Sequence, residues 1–232
     1  MKNLLITITV TCTLACLPAV ATAQIFWDED FDSYPAGGLI GNGGWTGWDG
    51  NPSFDANVVN TISLSAPNSV EIVQTSDVVQ AFTGATYGQW LITAWCYIPA
   101  NSTGEQFWIM LNQYAPGGTQ NWSLQVLFDM SLGEVQDYNS PATLPIVYDQ
   151  WIELRVEIDL DADLQTVFYD NQRLFADSWT GHVGDPGILQ IAALDLFSNG
   201  GSPIYWDDII LAGPDVVAAE RTSWGELKSS YR

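Results

Sequence analysis

Positively charged side chains are scarce in this sequence. It has 6 Lys and Arg residues against 27 Asp and Glu, a formal net charge of −21. Without residues 1–23, which include Lys2, 5 basic residues remain and the net charge is −22. Such a surface repels nucleic acids, anionic membranes and acidic polysaccharides that no divalent cation bridges. The predicted partners are therefore neutral glycans, cations or cationic surfaces, with no nucleic acid and no membrane insertion.

Cysteine and histidine are equally scarce, which excludes several kinds of site. Cys12 and Cys16 lie within residues 1–23, so Cys96 has no second cysteine with which to form an intramolecular disulfide. The apolar neighbours of Cys96 predict a buried, inert thiol. The only histidine, His182, lies in TGHVGDPG and is expected on a surface loop, with no nucleophile signature near it. Metal sites built from histidine and cysteine need more of these residues than the chain has.

Only one long apolar run is present, from Leu4 to Val20, and Ala21-Thr-Ala23 follows it. This pattern is typical of a secretory signal peptide over residues 1–23. A membrane-spanning helix is the alternative, but no basic flank follows the run. The sequence therefore predicts an exported protein, secreted or held at the cell surface, that begins near Gln24.

Helical periodicity is absent between residues 24 and 214. Short apolar or alternating runs are separated there by Gly, Pro, Asn and Asp, which predicts about eleven strands. That number of strands in residues 24–214 indicates one domain, an all-β sandwich of two antiparallel sheets. Composition changes in residues 215–232, where a short helix, a frayed end or a surface-attachment signal is expected.

Residues 151–160 alternate most regularly. Ile152, Leu154 and Val156 share one face with further apolar residues, while Glu153 and Arg155 begin the opposite, polar face. The strand that follows ends at Asp170-Asn171, a dipeptide typical of a tight hairpin turn.

This hairpin carries a resemblance to a known family. The run YDQWIELRVEIDLDADLQTVFYDNQRLFADSW resembles the central hairpin of the concanavalin A-like, laminin G-type jelly rolls. DEDFDSYPAG near the start and IYWDDIILAG near the end resemble the paired terminal strands of such sandwiches. The resemblance covers residues 25–213 and implies the jelly-roll fold of a secreted bacterial protein. It does not fix an activity, because lectins, adhesion modules, hydrolases and lyases share this fold.

A catalytic hypothesis rests on Glu157, Asp159 and Asp161, which resemble the Glu-x-Asp-x-Glu motif of laminarinase-like glycoside hydrolases. Retaining hydrolysis needs two carboxyl groups about 5–5.5 Å apart. The third acid is Asp rather than Glu, however, and Asp161 and Asp163 have the composition of a turn. The favoured interpretation is a solvated strand face and turn, which leaves Glu157 and Asp159 as the catalytic pair only if the protein is an enzyme.

A calcium site is expected where the terminal strands pair. That pairing would bring Asp28, Glu29 or Asp30 near Asp207 or Asp208, and a cation would relieve the repulsion between the acids. The expected ligands are Asp30, Asp207 and Asp208. The resemblance implies the same, because related carbohydrate-binding modules use a terminal Asp-Asp pair in a structural calcium site. Acids that merely face solvent are the alternative.

Glycan recognition is the expected function. Trp108 and Asn112 share one parity on their strand, and Asn121, Ser123 and Gln125 share one on the next; the opposite set includes Gln113 and Trp122. An aromatic ring stacks on a sugar while amides bind its hydroxyl groups. Asp195 is a further candidate, since a lone acid among apolar residues needs a partner. The sequence therefore predicts a non-catalytic carbohydrate-binding or surface-interaction domain, with a glycan-cleaving enzyme and a structural matrix protein as alternatives.

Overall fold

The computed structural model describes residues 24–184 and 187–213, which form two antiparallel sheets packed face to face. The predicted all-β jelly-roll sandwich is confirmed. The expected signal peptide and the tail 215–232 lie outside the described residues. Within the part of the chain that is described, no helix is long and apolar enough to cross a membrane.

The strands of the described residues are numbered here in chain order. They are β1 Ile25–Glu29, β2 Gly37–Gly38, β3 Thr46–Gly47, β4 Asn57–Val59, β5 Ser69–Ile72, β6 Asp77–Ala81, β7 Gln89–Tyr97, β8 Glu105–Tyr114, β9 Gln120–Asp129, β10 Glu134–Asp137, β11 Thr143–Pro145, β12 Trp151–Asp159, β13 Leu164–Tyr169, β14 Gln172–Ser178, β15 Ala193–Ser198 and β16 Ile204–Ala212. Single 3-10 turns at Trp48–Gly50 and Pro52–Phe54 interrupt the loop after β3.

Two sheets result from these strands. The back sheet has the order β14-β13-β12-β7-β16-β5-β4-β2, and β1 also pairs with β16. The front sheet has the order β11-β10-β9-β8-β15-β6-β3. The predicted strands are all found among them. Those that were missed, β2, β3, β4, β10 and β11, have two to four residues each, too few for alternation to be recognised.

The core fills the space between the sheets with apolar side chains from both. Trp108 of the front sheet packs on Trp206 of the back sheet, with ring centroids 4.8 Å apart, and Phe128 lies 5.6 Å from Trp206. The free thiol of Cys96 is buried, as expected, and burial raises its pKa. The tryptophans of this chain therefore serve the core in large part.

The β12–β13–β14 hairpins follow the predicted pattern. Ile152, Leu154, Val156 and Ile158 are buried in the core. Asp170 and Asn171 both have positive φ, 50° and 57°, as a two-residue hairpin turn requires.

His182 does not lie on an open surface loop as expected. Its side chain is only 3% exposed and contacts two carboxylates. No local pattern reveals this, because Asp137 lies 45 residues away on a strand of the other sheet, although Asp177 is only 5 residues away.

Candidate binding site

The outward side of the front sheet, named here the front face, is apolar where a solvated sheet face would be polar. Val79, Leu111 and Ala193 are completely buried there, although they point away from the main core. Phe107, Ile109 and Leu127 belong to the same second apolar cluster. Trp48, Tyr114, Trp122 and Phe197 pack against this cluster and remain partly exposed. Such a face, apolar at its floor and rimmed by aromatic side chains, is typical of a binding surface.

Bulges in β8 and β9 decide which polar side chains reach this face. Gln125 pairs with Ile109, Trp122 with Leu111, and Asn121 with Gln113. The register shifts around Leu111 leave one additional residue on each strand. Since cross-strand partners share a face, Asn121, Trp122 and Gln125 lie on the same side of the sheet even though strict alternation would separate them.

These side chains line a cleft of about 340 Å³. Its walls are Gln120, Asn121, Trp122, Gln125 and Val183. Gln120 Nε2 donates to Asp49 Oδ1 (2.9 Å), and Asn121 Nδ2 donates to Gln113 Oε1 (2.9 Å). The second polar atom of each amide makes no hydrogen bond to another described side chain. The cleft thus offers an indole ring beside amide groups with unused hydrogen-bonding capacity.

An aromatic shelf extends from the cleft. Trp48 is nearly parallel to Trp122, at 6.3 Å and 12°, and lies 5.2 Å from Tyr114. Asp49 holds the loop in place, because its Oδ1 accepts from Gly117 N at 2.8 Å as well as from Gln120. The amide of Asp49 also donates to the Tyr114 hydroxyl oxygen (3.2 Å). The loop therefore positions Trp48 by polar contacts to the β8–β9 turn.

A pair of carboxyl groups lies on the front face behind this shelf. Asp195 is 3% exposed, and it hydrogen-bonds to Asp77 of the neighbouring strand. Burial raises the pKa of Asp195 well above its ordinary value, and the charge of Asp77 adds to the effect. Burial also raises the pKa of Asp77 to about 6, despite the contact with Asp195.

The Oδ1 atoms of Asp77 and Asp195 are buried and have no N–H or O–H donor among the described residues. One proton shared between the two carboxyl groups would supply the missing donor. The expectation that Asp195 needs a partner thus finds its answer in Asp77, a residue that the sequence analysis did not single out.

The other residues expected to bind a glycan divide between two environments. Asn121 and Gln125 line the cleft, whereas Trp108 lies in the core, 1% exposed. Asn112 is completely buried and donates to Ser123 Oγ (2.9 Å). Parity alone grouped Trp108 and Asn112 with the amides, because the sequence does not show the register that sets Trp108 opposite Val126 and Gln125 opposite Ile109. Trp122 belonged to the alternative set, and Trp48 could be recognised only as an aromatic residue in a glycine-rich loop.

Glu157 and Asp159 lie on the opposite side of the molecule, on the outward side of the back sheet. Glu157 has a 55% exposed side chain and pairs with Arg155 Nε (3.4 Å). Asp159 accepts from Gln89 Nε2 (2.9 Å) and from the backbone amides of Asp161 and Ala162. These contacts, the Gln89 bond foremost, lower the pKa of Asp159. The geometry is that of a polar strand face and turn.

The expected calcium ligands are only partly brought together. Asp207 and Asp208 lie at a bulge in β16, and Asp30 is exposed beyond the end of β1. Asp207 accepts from the amides of Leu64 (2.7 Å), Ser65 (3.0 Å) and Asp208 (2.7 Å). Burial, together with the charge of Asp208, raises its pKa to about 7.

Both Asp207 oxygens thus accept hydrogen bonds from backbone N–H groups. Among the described residues, no group of three or more His, Cys, Asp or Glu side chains could hold a metal. Calcium at Asp30, Asp207 and Asp208 stays a prediction, and a melt with and without a chelator tests it.

Comparison with known proteins shows the fold and no more. No protein-family model and no curated protein matches the chain. A solved sialidase matches with a TM-score of 0.52 and 10% identity over 82% of this chain, which spans only 18% of that protein. A carbohydrate-binding module from Bacillus subtilis has a TM-score of 0.46 and 11% identity, covering 73% of this chain and 96% of the module. The carbohydrate recognition domain of Emp47p has a TM-score of 0.41 and 16% identity, covering 77% and 94%.

Proposed function

We propose that this chain is a non-catalytic carbohydrate-binding domain that holds a neutral glycan in the front-face cleft. The observation that carries the proposal is the combination of Trp122 with the amides of Gln120, Asn121 and Gln125 in one cleft. A pyranose ring presents an apolar face of C–H groups and a rim of hydroxyl groups. An indole suits the first, and amides, which both donate and accept, suit the second.

The charge of the chain favours a neutral glycan over an acidic one. None of the described residues that line the cleft is basic, and Asp49 hydrogen-bonds to Gln120 beside it. A carboxylate or sulfate on the ligand would find no cationic partner there and would be repelled by the net charge of −21. Neutral hydroxyl groups meet neither penalty.

Neither the pair of Asp77 and Asp195 nor the acids around Glu157 match the arrangement that glycoside hydrolysis needs. The two acids of hydrolases stand about 5–5.5 Å or 6.5–9.5 Å apart, with the sugar or a water between them. Asp77 and Asp195 instead hydrogen-bond to one another. Glu157 pairs with Arg155 on the other sheet, away from the cleft. Binding without cleavage therefore accounts best for the arrangement.

Export is part of the proposal and rests on the sequence of residues 1–23 alone. An exported domain of this kind would bind glycans outside the cytoplasm, at a cell surface or in its surroundings. Attachment through residues 215–232 is proposed on composition only.

The test is a glycan array of neutral and acidic oligosaccharides, followed by affinity measurements on the best ligand. Trp122→Ala is expected to weaken binding about tenfold or more, because it removes the stacking surface. Asn121→Ala should weaken it several-fold. Trp151→Ala is the matched control: this tryptophan is also partly exposed, but on the back sheet against Tyr97 (5.6 Å). Equal losses in both tryptophan variants, or no bound neutral glycan, would overturn the proposal.

A further inference from the structure

His182 makes two hydrogen bonds to carboxylates that belong to different sheets. Nε2 lies 3.0 Å from Asp137 Oδ1, and Nδ1 lies 2.9 Å from Asp177 Oδ2. The imidazole also stacks on Phe175, with centroids 4.5 Å apart at 14°. Asp137 ends β10 of the front sheet, while Phe175 and Asp177 lie on β14 of the back sheet. The ring therefore joins the two sheets along one edge of the sandwich.

This joint adjoins the cleft on two sides. Val183, the next residue along the chain, is part of the cleft wall. Past Asp137 the chain continues to Tyr138, whose amide donates to Gln125 O (3.0 Å), and to Asn139, whose Nδ2 lies 3.4 Å from Gln125 Oε1. The imidazole is thus connected to the cleft twice, through Val183 in the wall and through the contacts that Tyr138 and Asn139 make to Gln125.

The number of N–H donors that His182 needs for these contacts determines its protonation state. A carboxylate only accepts hydrogen bonds, and a neutral imidazole has a single N–H. Only the imidazolium form donates to Asp137 and Asp177 at once. Among the described residues, the charged groups that face the ring are these two aspartates, and the bonds to them, that to Asp137 foremost, raise the pKa of His182 despite its burial.

Loss of the proton would place a nitrogen lone pair against one of the carboxylates. Asp137 is the more constrained partner, since it is 1% exposed and its Oδ2 has no hydrogen-bond partner among the described residues. The contact to Asp177, which has a 58% exposed side chain, is the one free to open toward water. Opening there would release residues 182–183 from β14.

We propose that the His182 imidazolium is a positioning residue for the cleft, so that glycan affinity falls when this side chain loses its proton. The inference rests on the proposed function and adds to it a dependence on pH. The cleft is assembled while His182 carries its proton and relaxes as the pH rises through the raised pKa of that side chain. In strong acid the joint is also lost, because the aspartates become protonated.

The test is glycan affinity from about pH 5.5 to about pH 9, across the range in which histidine titrates. The unaltered chain should bind about tenfold more weakly at the alkaline end. His182→Gln cannot titrate and should show a flat profile near the weaker plateau. Asp177→Asn removes one carboxylate from the exposed side and should move the midpoint to lower pH. Val183→Ala is the control, since it should weaken binding at every pH without moving the midpoint.

A second measurement separates failure of this inference from failure of the proposed function. The chain has one histidine, so NMR reads the pKa of His182 without ambiguity. The side-chain amide signals of Gln125 and the methyl signals of Val183 should titrate with the same midpoint, even if no glycan binds. Amide and methyl signals that ignore the histidine midpoint, or a pH profile that persists in His182→Gln, would overturn the inference. If no glycan binds at any pH while the signals still titrate together, only the proposed glycan binding is overturned.

Discussion

The two groups of acids in this protein contrast in almost every respect. Residues 157–163 concentrate four carboxylates in EIDLDAD, and the structure uses them for a strand face and a turn. Asp77 and Asp195 are isolated in the sequence, yet the front sheet brings them together in a buried pair. The acids that are most concentrated in the sequence are therefore not the ones whose pKa values the fold raises most.

The physical reason is the environment of each carboxyl group. Acids that are close in sequence repel one another, so they are stable where water or backbone amides surround them, as around Asp159 and Asp161. A carboxyl group has a strongly raised pKa where the surrounding side chains exclude water, as Val79 and Ile109 do around Asp195. A lone acid in an apolar strand is thus the more informative signal.

The largest effect on the free energy of unfolding is expected at Asp163, an acid of the hairpin turn with an unusual backbone conformation. Asp163 has a φ of 53° and accepts from Ser178 Oγ (2.8 Å) and from Thr180 N (2.9 Å) and Oγ1 (3.0 Å). Asp163→Ala should lower the free energy of unfolding by about 3 kcal/mol, through strain at positive φ and lost hydrogen bonds. Asp163→Asn, which tolerates that φ and keeps one acceptor, should cost about 1 kcal/mol in urea unfolding. Equal costs for both would show that the side-chain oxygens matter little.

Substitution in the buried pair of Asp77 and Asp195 is expected to raise the free energy of unfolding. Because the folded pKa values of Asp77 and Asp195 are raised, the folded state binds more protons than the unfolded state. Stability should therefore fall as pH rises from the ordinary carboxyl pKa through about 6 and above. Asp195→Asn supplies an N–H donor to Asp77 without a shared proton. It should stabilise the fold by about 2 kcal/mol at alkaline pH and remove much of this slope.

Thermal melts over a pH series check this second expectation. Asp77→Asn is the mirror variant and should flatten the same slope, since it too replaces one acid by an amide. Asp207 contributes a part of the slope that both variants keep, because its pKa is also raised. A slope that neither variant reduces would mean that the two carboxyl groups do not share a proton.

The smallest effect is expected at Glu157, the acid that the catalytic hypothesis favours. Its ion pair with Arg155 is exposed, so Glu157→Gln should change the free energy of unfolding by about 0.5 kcal/mol. Glycan affinity at the front-face cleft should not change, because the residue lies on the back sheet. Release of reducing sugar by the unaltered chain that disappears in this variant would instead establish the hydrolase alternative.

The sequence by itself determined the fold class and its longest elements. Regular alternation in β12 and the Asp170-Asn171 turn were sufficient, because they depend only on local periodicity and on positive φ. The sequence also indicated Asn121 and Gln125 of the cleft, though not Gln120, and the need of Asp195 for a partner. These conclusions require knowledge of single strands and nothing of how the sheets are assembled.

Tertiary structure alone decided which of these residues meet. A bulge in β9 turned Trp122 toward the cleft, while Trp108, in regular register opposite Val126, faces the core. Sheet order paired Asp195 with Asp77, 118 residues apart. His182 found its two aspartates on strands of different sheets. Such contacts depend on strand register and sheet packing, which are set by the whole core and leave no local pattern in the chain.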